Sequence, residues 1–309
     1  MLISIVIPVY NSEQTIRITV DKIVAAFNDK YDYEVILVND GSEDDSDKVC
    51  RDLCDDNPEK VVYLQLMRNF GEHNALMAGL KIAKGDWIIT MDDDLQNPVT
   101  EVVKLAEFSL KSNYDVIYTK YLEKCHNFWR NLGSRFNDKV ANIMLKKPPN
   151  LYLSSFRAIS RAVVNEIIKY DLPFPYIDGI IINTTNQIGV LEVVHSERAK
   201  GKSGYTLRKL LRLWSNMFTN YSILPLRIAI FSGFIFSILG FILGVMTVIE
   251  KLMNPELPLG YASLFVALAM FSGIILVSLG MLGEYIGRIF LGINGKPQYV
   301  IKEKYEKRS

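Results

Sequence analysis

From residue 228 to 249 the chain runs 22 residues without a formal charge, and from 257 to 282 another 26. At about 1.5 Å rise per residue a helix of the shorter length reaches roughly 33 Å, enough for a hydrocarbon core of about 30 Å. Phe231, Phe234, Phe236 and Phe241 fall on every face of such a helix. A soluble fold would need a large partner core to cover them. Two transmembrane helices are expected, and any soluble domain must be built from the rest. Arg208, Lys209, Arg212 and Arg227 precede the first span, and Arg288, Lys296 and Lys302 follow the second, across a short link holding Pro255. The positive-inside rule puts both ends in the cytoplasm. Residues 2–8 are too short and lack the basic flank of a signal peptide, so the N-terminal part is expected to stay cytoplasmic.

That N-terminal part alternates. Apolar, β-branched runs at 3–7, 34–38, 61–66, 87–91 and 116–118 are separated by stretches such as 13–27 and 72–83, whose apolar residues recur at three and four. Gly85 reads as a helix stop, and Pro98 as the start of the next helix. Continuously apolar strands joined by helices predict a doubly wound, mostly parallel α/β sheet covered on both faces. With 49% hydrophobic residues, 22% charged and a net charge of +1, the chain is neither disordered nor a uniformly basic nucleic-acid binder. The neutrality is a cancellation: residues 1–115 carry 11 Lys+Arg against 22 Asp+Glu, and residues 116–309 carry 24 against 12. Three cysteines without a clustered histidine read as reduced thiols.

Ligands of such sheets bind beyond the carboxyl ends of the strands, which singles out Pro8–Asn11, Asn39–Ser42 and Asp92–Gln96. Three successive carboxylates at a strand end suit Mg²⁺ or Mn²⁺, hard cations that complete their shells with substrate phosphates and water. The bland alternative is a solvated acidic turn capping the helix after Pro98. Asp40 suits a nucleobase or ribose hydroxyl, or else a plain Asx turn with Gly41 and Ser42. His73 and His126 lack ligand spacing and read as surface or capping residues, and His195 as structural.

Taken in order, Ile5-Val6-Ile7-Pro8-Val9-Tyr10-Asn11-Ser12-Glu13, Val38-Asn39-Asp40-Gly41-Ser42, Arg68-Asn69-Phe70-Gly71 and Asp92-Asp93-Asp94-Leu95-Gln96 resemble the family 2 glycosyltransferases with a GT-A fold. Within them the pattern is most similar to the polyprenyl-phosphate sugar transferases with two C-terminal membrane helices. The resemblance implies donor contacts at Pro8, Tyr10, Asn11, Glu13, Asp40, Arg68 and Asp93, and a metal at Asp92, Asp94 and Gln96, of which Asp92 and Asp94 carry the catalytic weight. For the acceptor phosphate it implies Lys120, Arg130, Ser134, Arg157, Arg198, Lys202 and Ser203. Two departures stand out. Gly204 occupies a usual Lys position, which weakens the case for Lys202 relative to Arg198, and Ser155 stands two residues before Arg157 where many members have Asp. A serine cannot replace a carboxylate base. A phosphate monoester acceptor, with a second pKa of about 6, is already largely ionised at neutral pH and needs no deprotonation.

The implied function is an inverting transfer of a sugar from a nucleotide-diphosphate donor, UDP-hexose for preference, to a polyprenyl phosphate such as undecaprenyl phosphate, for cell-envelope glycan modification. The implied location is the bacterial inner membrane, multi-pass, with the catalytic domain cytoplasmic. The alternatives are a processive polysaccharide synthase or a transferase acting on a lipid-linked glycan, for which a Gln-x-x-Arg-Trp motif and more spans are expected and neither is found, and a non-catalytic membrane scaffold, which is at odds with the intact Asp triplet. Expected boundaries are 1–200 for the GT-A domain, 201–226 for a juxtamembrane interface segment, 227–289 for the membrane helices and 290–309 for a basic cytoplasmic tail. Residues 128–147 and 205–221 read as amphipathic helices with basic rims at an anionic bilayer surface, or as helices packed on each other. Gly240 and Gly244, at small-residue spacing, are compatible with self-association as a homo-oligomer.

Overall fold

The computed structural model describes residues 1–28, 30–121, 151–194, 224–253 and 260–306. It divides into two units, residues 1–205 with 296–309, and residues 206–295.

In the first unit, strands β1 (Leu2–Val9), β2 (Asp32–Asn39), β3 (Val61–Leu66), β4 (Trp87–Thr90), β5 (Val116–Tyr121), β6 (Arg157–Ser160), β7 (Ile188–Val193) and β8 (Ile301–Tyr305) form one sheet of eight strands, ordered β7-β5-β6-β4-β1-β2-β3-β8. The central strands are the expected apolar runs, and five consecutive residues of β1 are buried because both faces of the sheet are covered. On one face Ile3, Ile5 and Ile7 meet α1 (Ile16–Phe27), α2 (Ser46–Asp56) and α4 (Val99–Lys111). On the other, Val6, Ile36 and Val38 meet α3 (Glu72–Ile82), α5 (Arg161–Ile167) and α6 (Ile177–Thr184). Burying one such Ile or Leu side chain contributes about 1.5–3 kcal/mol relative to exposure.

Pairing is parallel for β1–β2, β1–β4, β2–β3 and β5–β7, and antiparallel for β4–β6, β5–β6 and β3–β8. The sheet is thus mixed, with antiparallel β6 wedged between β4 and β5. β8 departs from the expected tail over 290–309. Its residues return to the sheet edge, where Glu303 meets Arg51 at 2.9 Å and the Tyr305 hydroxyl donates to Asp55 Oδ1 at 3.0 Å.

Gly85 serves a different purpose from a helix stop. α3 ends earlier, at Ile82, and a Cβ on Gly85 would sit 2.5 Å from the Ser4 backbone nitrogen. The close approach lets the Gly85 N–H donate to Ser4 Oγ (2.7 Å), while Ser4 donates to Glu34 Oε1 (2.5 Å), so a buried hydroxyl in the central strand is satisfied. The cysteines Cys50 and Cys54 are buried and free, and burial pushes the Cys54 thiol up to about 12.

In the second unit α7 (Leu224–Met253) and α8 (Tyr261–Ile293) pair as a hairpin. Each contains a stretch long and apolar enough to cross a membrane, 229–246 and 270–293, of which 6% and none is buried. Neither stretch is therefore packed as a core helix among the described residues. α8 continues beyond residue 282, carrying Glu284 and Arg288 as an i,i+4 ion pair at 2.8 Å. A Cβ on Gly240 would meet Phe271 of α8 at 3.3 Å, whereas one on Gly244 would meet nothing, so Gly240 serves contact within the hairpin. The segments expected as interface helices, 128–147 and 205–221, lie outside the described residues.

Gly85→Ala is expected to force the β1–β4 end apart and cost about 1–3 kcal/mol. A clear drop in Tm of the detergent-solubilised protein checks this; an unchanged Tm contradicts the close-packing account.

Candidate active site

The chain order around β1 reverses direction, with β2 and β3 on one side and β4 on the other. The crevice at such a switch point, beyond the strand ends, is the standard ligand position of open α/β sheets. Three loops meet there. After β1, Asn11 takes a left-handed backbone (φ 54°), its N–H donates to Ser42 Oγ (3.0 Å), and its Oδ1 accepts from the Glu43 N–H (2.9 Å). Glu13 Oε2 accepts from the Asp45 N–H (3.1 Å), and the Glu13 N–H donates to Asp44 Oδ2 (3.1 Å). Asn11 and Glu13 thus lace the β1 loop to the β2–α2 loop. Pro8 stays in the strand opposite Val38, and Tyr10 is exposed.

Asp40 is buried, and its two oxygens accept the Phe70 and Gly71 N–H groups at 2.7 and 2.8 Å. Burial pushes its carboxyl up despite these two donors. The Asx-type bond belongs to Asn39, whose Oδ1 accepts from Ser42 N–H (2.8 Å), and the Asp40 carboxylate holds the 68–71 loop. Gly41, at φ +68°, lies under that loop, where a Cβ would sit 2.5 Å from the Arg68 carbonyl carbon. Arg68 itself is exposed, its guanidinium 4.8 Å from the Phe70 ring centroid.

The Asp triplet follows β4. Asp92 Oδ2 accepts from Ser155 Oγ at 2.7 Å, and Asp94 Oδ1 accepts from the Gln96 N–H at 3.2 Å across a turn in which Leu95 has φ 62°. Asp93 faces the β1 loop. Burial and then the Asp92 and Asp94 charges push its carboxyl up to about 6, against the pull of Ser12 and the Tyr10 backbone, and its Oδ2 is buried without a partner. Among the described residues no group of three Asp, Glu, His or Cys side chains is placed to hold a metal ion by itself. An open oxygen set crowded with negative charge fits a divalent cation that takes its other ligands from a phosphate substrate.

Of the expected acceptor-phosphate groups, Lys120 is exposed at the end of β5, 3.9 Å from Glu192. Arg130, Ser134, Arg198, Lys202 and Ser203 lie outside the described residues, as do His126 and His195. Arg157, expected among them, is buried and ion-paired with Asp178, whose Oδ1 also accepts from the Tyr118 hydroxyl (2.7 Å), while the Arg157 Nε is buried without a partner.

Glu72, at the start of α3, was not singled out by the sequence, and its neighbour His73 was expected as a surface or capping residue. The packed protein around the cleft, and then the Asp92 charge, push the Glu72 carboxyl up. His73 is half-buried. It stacks edge-on against Tyr176 with centroids 5.4 Å apart, its Nδ1 is buried without a partner, and burial lowers it from 6.5 to about 4. The available signal was the preceding Gly71, whose φ of 96° turns the loop into the helix.

With the geometry in hand, the family described as glycosyl transferase family 2 matches residues 4–168, more than half of the chain. The chain belongs to glycosyl transferase family 2. Residues 224–289 match the family described as the GtrB C-terminal hairpin, which is the α7–α8 pair. The undecaprenyl-phosphate 4-deoxy-4-formamido-L-arabinose transferase of Aeromonas hydrophila is 33% identical over 98% of this chain and 93% of its own. The protein of the same name from Yersinia enterocolitica is 34% identical over 97% and 93%. The fold of this family 2 member is similar to that of glucosyl-3-phosphoglycerate synthase from Mycobacterium tuberculosis crystallised with Mn²⁺ and UDP-glucose, with TM-score 0.54, 18% identity, and 71% and 78% of the two chains covered.

His73 supplies a pH dependence. Its folded pKa lies below its unfolded value, so between about 6.5 and 4 the unfolded chain binds the extra proton and stability falls as pH falls. Tm measured from pH 7 to 5 is expected to drop more steeply in the wild type than in His73→Phe; equal slopes contradict a buried neutral imidazole.

Proposed function

We propose that this family 2 member transfers one sugar from a nucleoside-diphosphate donor, a UDP-sugar, to the phosphate of a polyprenyl phosphate such as undecaprenyl phosphate, with inversion at the anomeric carbon. The observation that carries this reading is that both the transferase domain and the membrane hairpin match, over nearly the full length, proteins named as undecaprenyl-phosphate sugar transferases. The location proposed is the bacterial inner membrane, with α7 and α8 spanning it and the sheet domain in the cytoplasm.

In this reading the donor lies in the crevice between β1 and β4. Tyr10 and Arg68, both exposed at its rim, suit a base and a phosphate, while Asn11, Glu13 and Asp40 fix the loops that carry them. Asp92 and Asp94, with Gln96 beside them, would hold Mg²⁺ or Mn²⁺, which supplies charge neutralisation for a departing diphosphate. Asp93 turns toward the β1 loop and sets the spacing of its neighbours.

The bond that forms joins an acceptor phosphate oxygen to the anomeric carbon, and the bond that breaks joins that carbon to the nucleotide diphosphate oxygen. The acceptor arrives ionised, so Ser155 at the position where a base was sought is no obstacle. Lys120 is an exposed cation at the adjacent strand end and would attract the acceptor phosphate, with Arg130, Ser134, Arg198, Lys202 and Ser203 proposed for the same phosphate.

Purified protein given radiolabelled UDP-sugars and undecaprenyl phosphate is expected to label the lipid phase in an EDTA-sensitive way, and Asp94→Ala to lower that rate by at least about 100-fold. Lipid labelling that survives both EDTA and Asp94→Ala contradicts the assigned metal site; no labelling from any donor contradicts the reaction.

A further inference from the structure

Ser155 sits in a short turn entering β6 that is pinned from two neighbouring strands. Thr90, at the end of β4, donates its hydroxyl to the Ser155 carbonyl at 2.6 Å. Thr119 of β5 donates to the Phe156 carbonyl at 2.6 Å and lies 3.2 Å from Ser154 Oγ, which in turn accepts the Phe156 N–H at 3.2 Å. Thr90, Thr119, Ser154 and Phe156 are all buried. The turn has little freedom, because moving it would strip hydrogen bonds from buried groups. What it presents to the crevice is the Ser155 hydroxyl, which donates to Asp92 Oδ2 at 2.7 Å.

The consequence for Asp92 is geometric. A carboxylate at a strand end can swing about its side-chain torsions, and next to Asp93 and Asp94 it would turn away from like charge toward water. One oxygen tied by a short bond to a rigid donor fixes the plane of the group and the direction of the other oxygen. Outer partners of this kind hold ligating carboxylates in place, and their loss usually costs about 10–100-fold in metal affinity.

We infer that Ser155 is a positioning residue for Asp92, orienting that carboxylate toward the divalent cation, and that Thr90 and Thr119 form the rigid mount from which it acts. The inference rests on the proposed metal role of Asp92. It assigns position 155 to holding the metal-facing acid, with no part in proton transfer.

Binding of Mn²⁺ in the presence of UDP, followed by loss of the free Mn²⁺ electron paramagnetic resonance signal on titrating the full-length detergent-solubilised protein, tests it without turnover. The wild type is expected to bind. Ser155→Ala is expected to weaken Mn²⁺ by about tenfold or more, and Ser155→Thr, which keeps the hydroxyl, to restore most of that loss. Tm is measured for each variant, and Ser155→Cys, close in size but a weak donor, stands in for Ser155→Ala if that variant fails to fold. Equal Mn²⁺ affinity in the wild type and the folded Ala or Cys variant overturns the inference while leaving the metal reading intact. Equal weakening in Ser155→Thr and Ser155→Ala also overturns it, since the hydroxyl would then not matter. Failure of the wild type itself to bind Mn²⁺ overturns the metal reading, and the inference with it.

Discussion

Like charges at 92, 93 and 94 repel one another, and the crevice sharpens that repulsion because a sheet buried on both faces leaves little water beneath the end of β4. The surrounding loops are arranged around this constraint. The β1 loop is laced to the β2–α2 loop through Asn11 and Glu13, Asp40 holds the 68–71 loop by two backbone bonds, and Ser155 reaches across from β6 to Asp92. None of these contacts neutralises the triplet. They fix where the negative charge stands, which is the condition for a cation and a phosphorylated donor to complete the site rather than reorganise it.

The central sheet was legible in the sequence because strands buried on both faces read as unbroken apolar runs. β3 was bounded to the residue, and β1, β2, β4 and β5 to within a few residues at each end. β6, β7 and β8 were not, for physical reasons: β7 is only partly buried and shows no unbroken apolar run. Four residues beginning with a buried Arg157 show no periodicity, and the alternating charges of Ile301–Tyr305 are those of an edge strand exposed to water, hard to tell from a tail. The Asp triplet and the membrane hairpin needed only local sequence, and both were found.

Individual roles were less legible than positions. A carboxylate after a strand reads the same whether it contacts a ligand or holds a neighbouring loop, and the loop contacts of Asp40 become visible only in the fold. Nothing local shows that Arg157 is enclosed by Asp178 and Tyr118, which β5 and α6 bring around it. His73 read as a surface or capping residue, and the Tyr176 ring against it half-buries it in the fold. In each case the deciding partner comes from a distant part of the chain, which local pattern cannot supply. The charge asymmetry survives this revision. The acidic half carries the crevice, and the excess of basic residues falls in the half that includes both membrane helices.

The central claim is that one sugar moves to a lipid phosphate with release of the whole nucleoside diphosphate. Mass spectrometry of the lipid product, formed from undecaprenyl phosphate and the accepted UDP-sugar, tests it most directly. The account predicts a single phosphate bearing a single sugar, with UDP in the aqueous phase. A lipid diphosphate-sugar with release of UMP, or a polymer of sugars on one lipid, would contradict it.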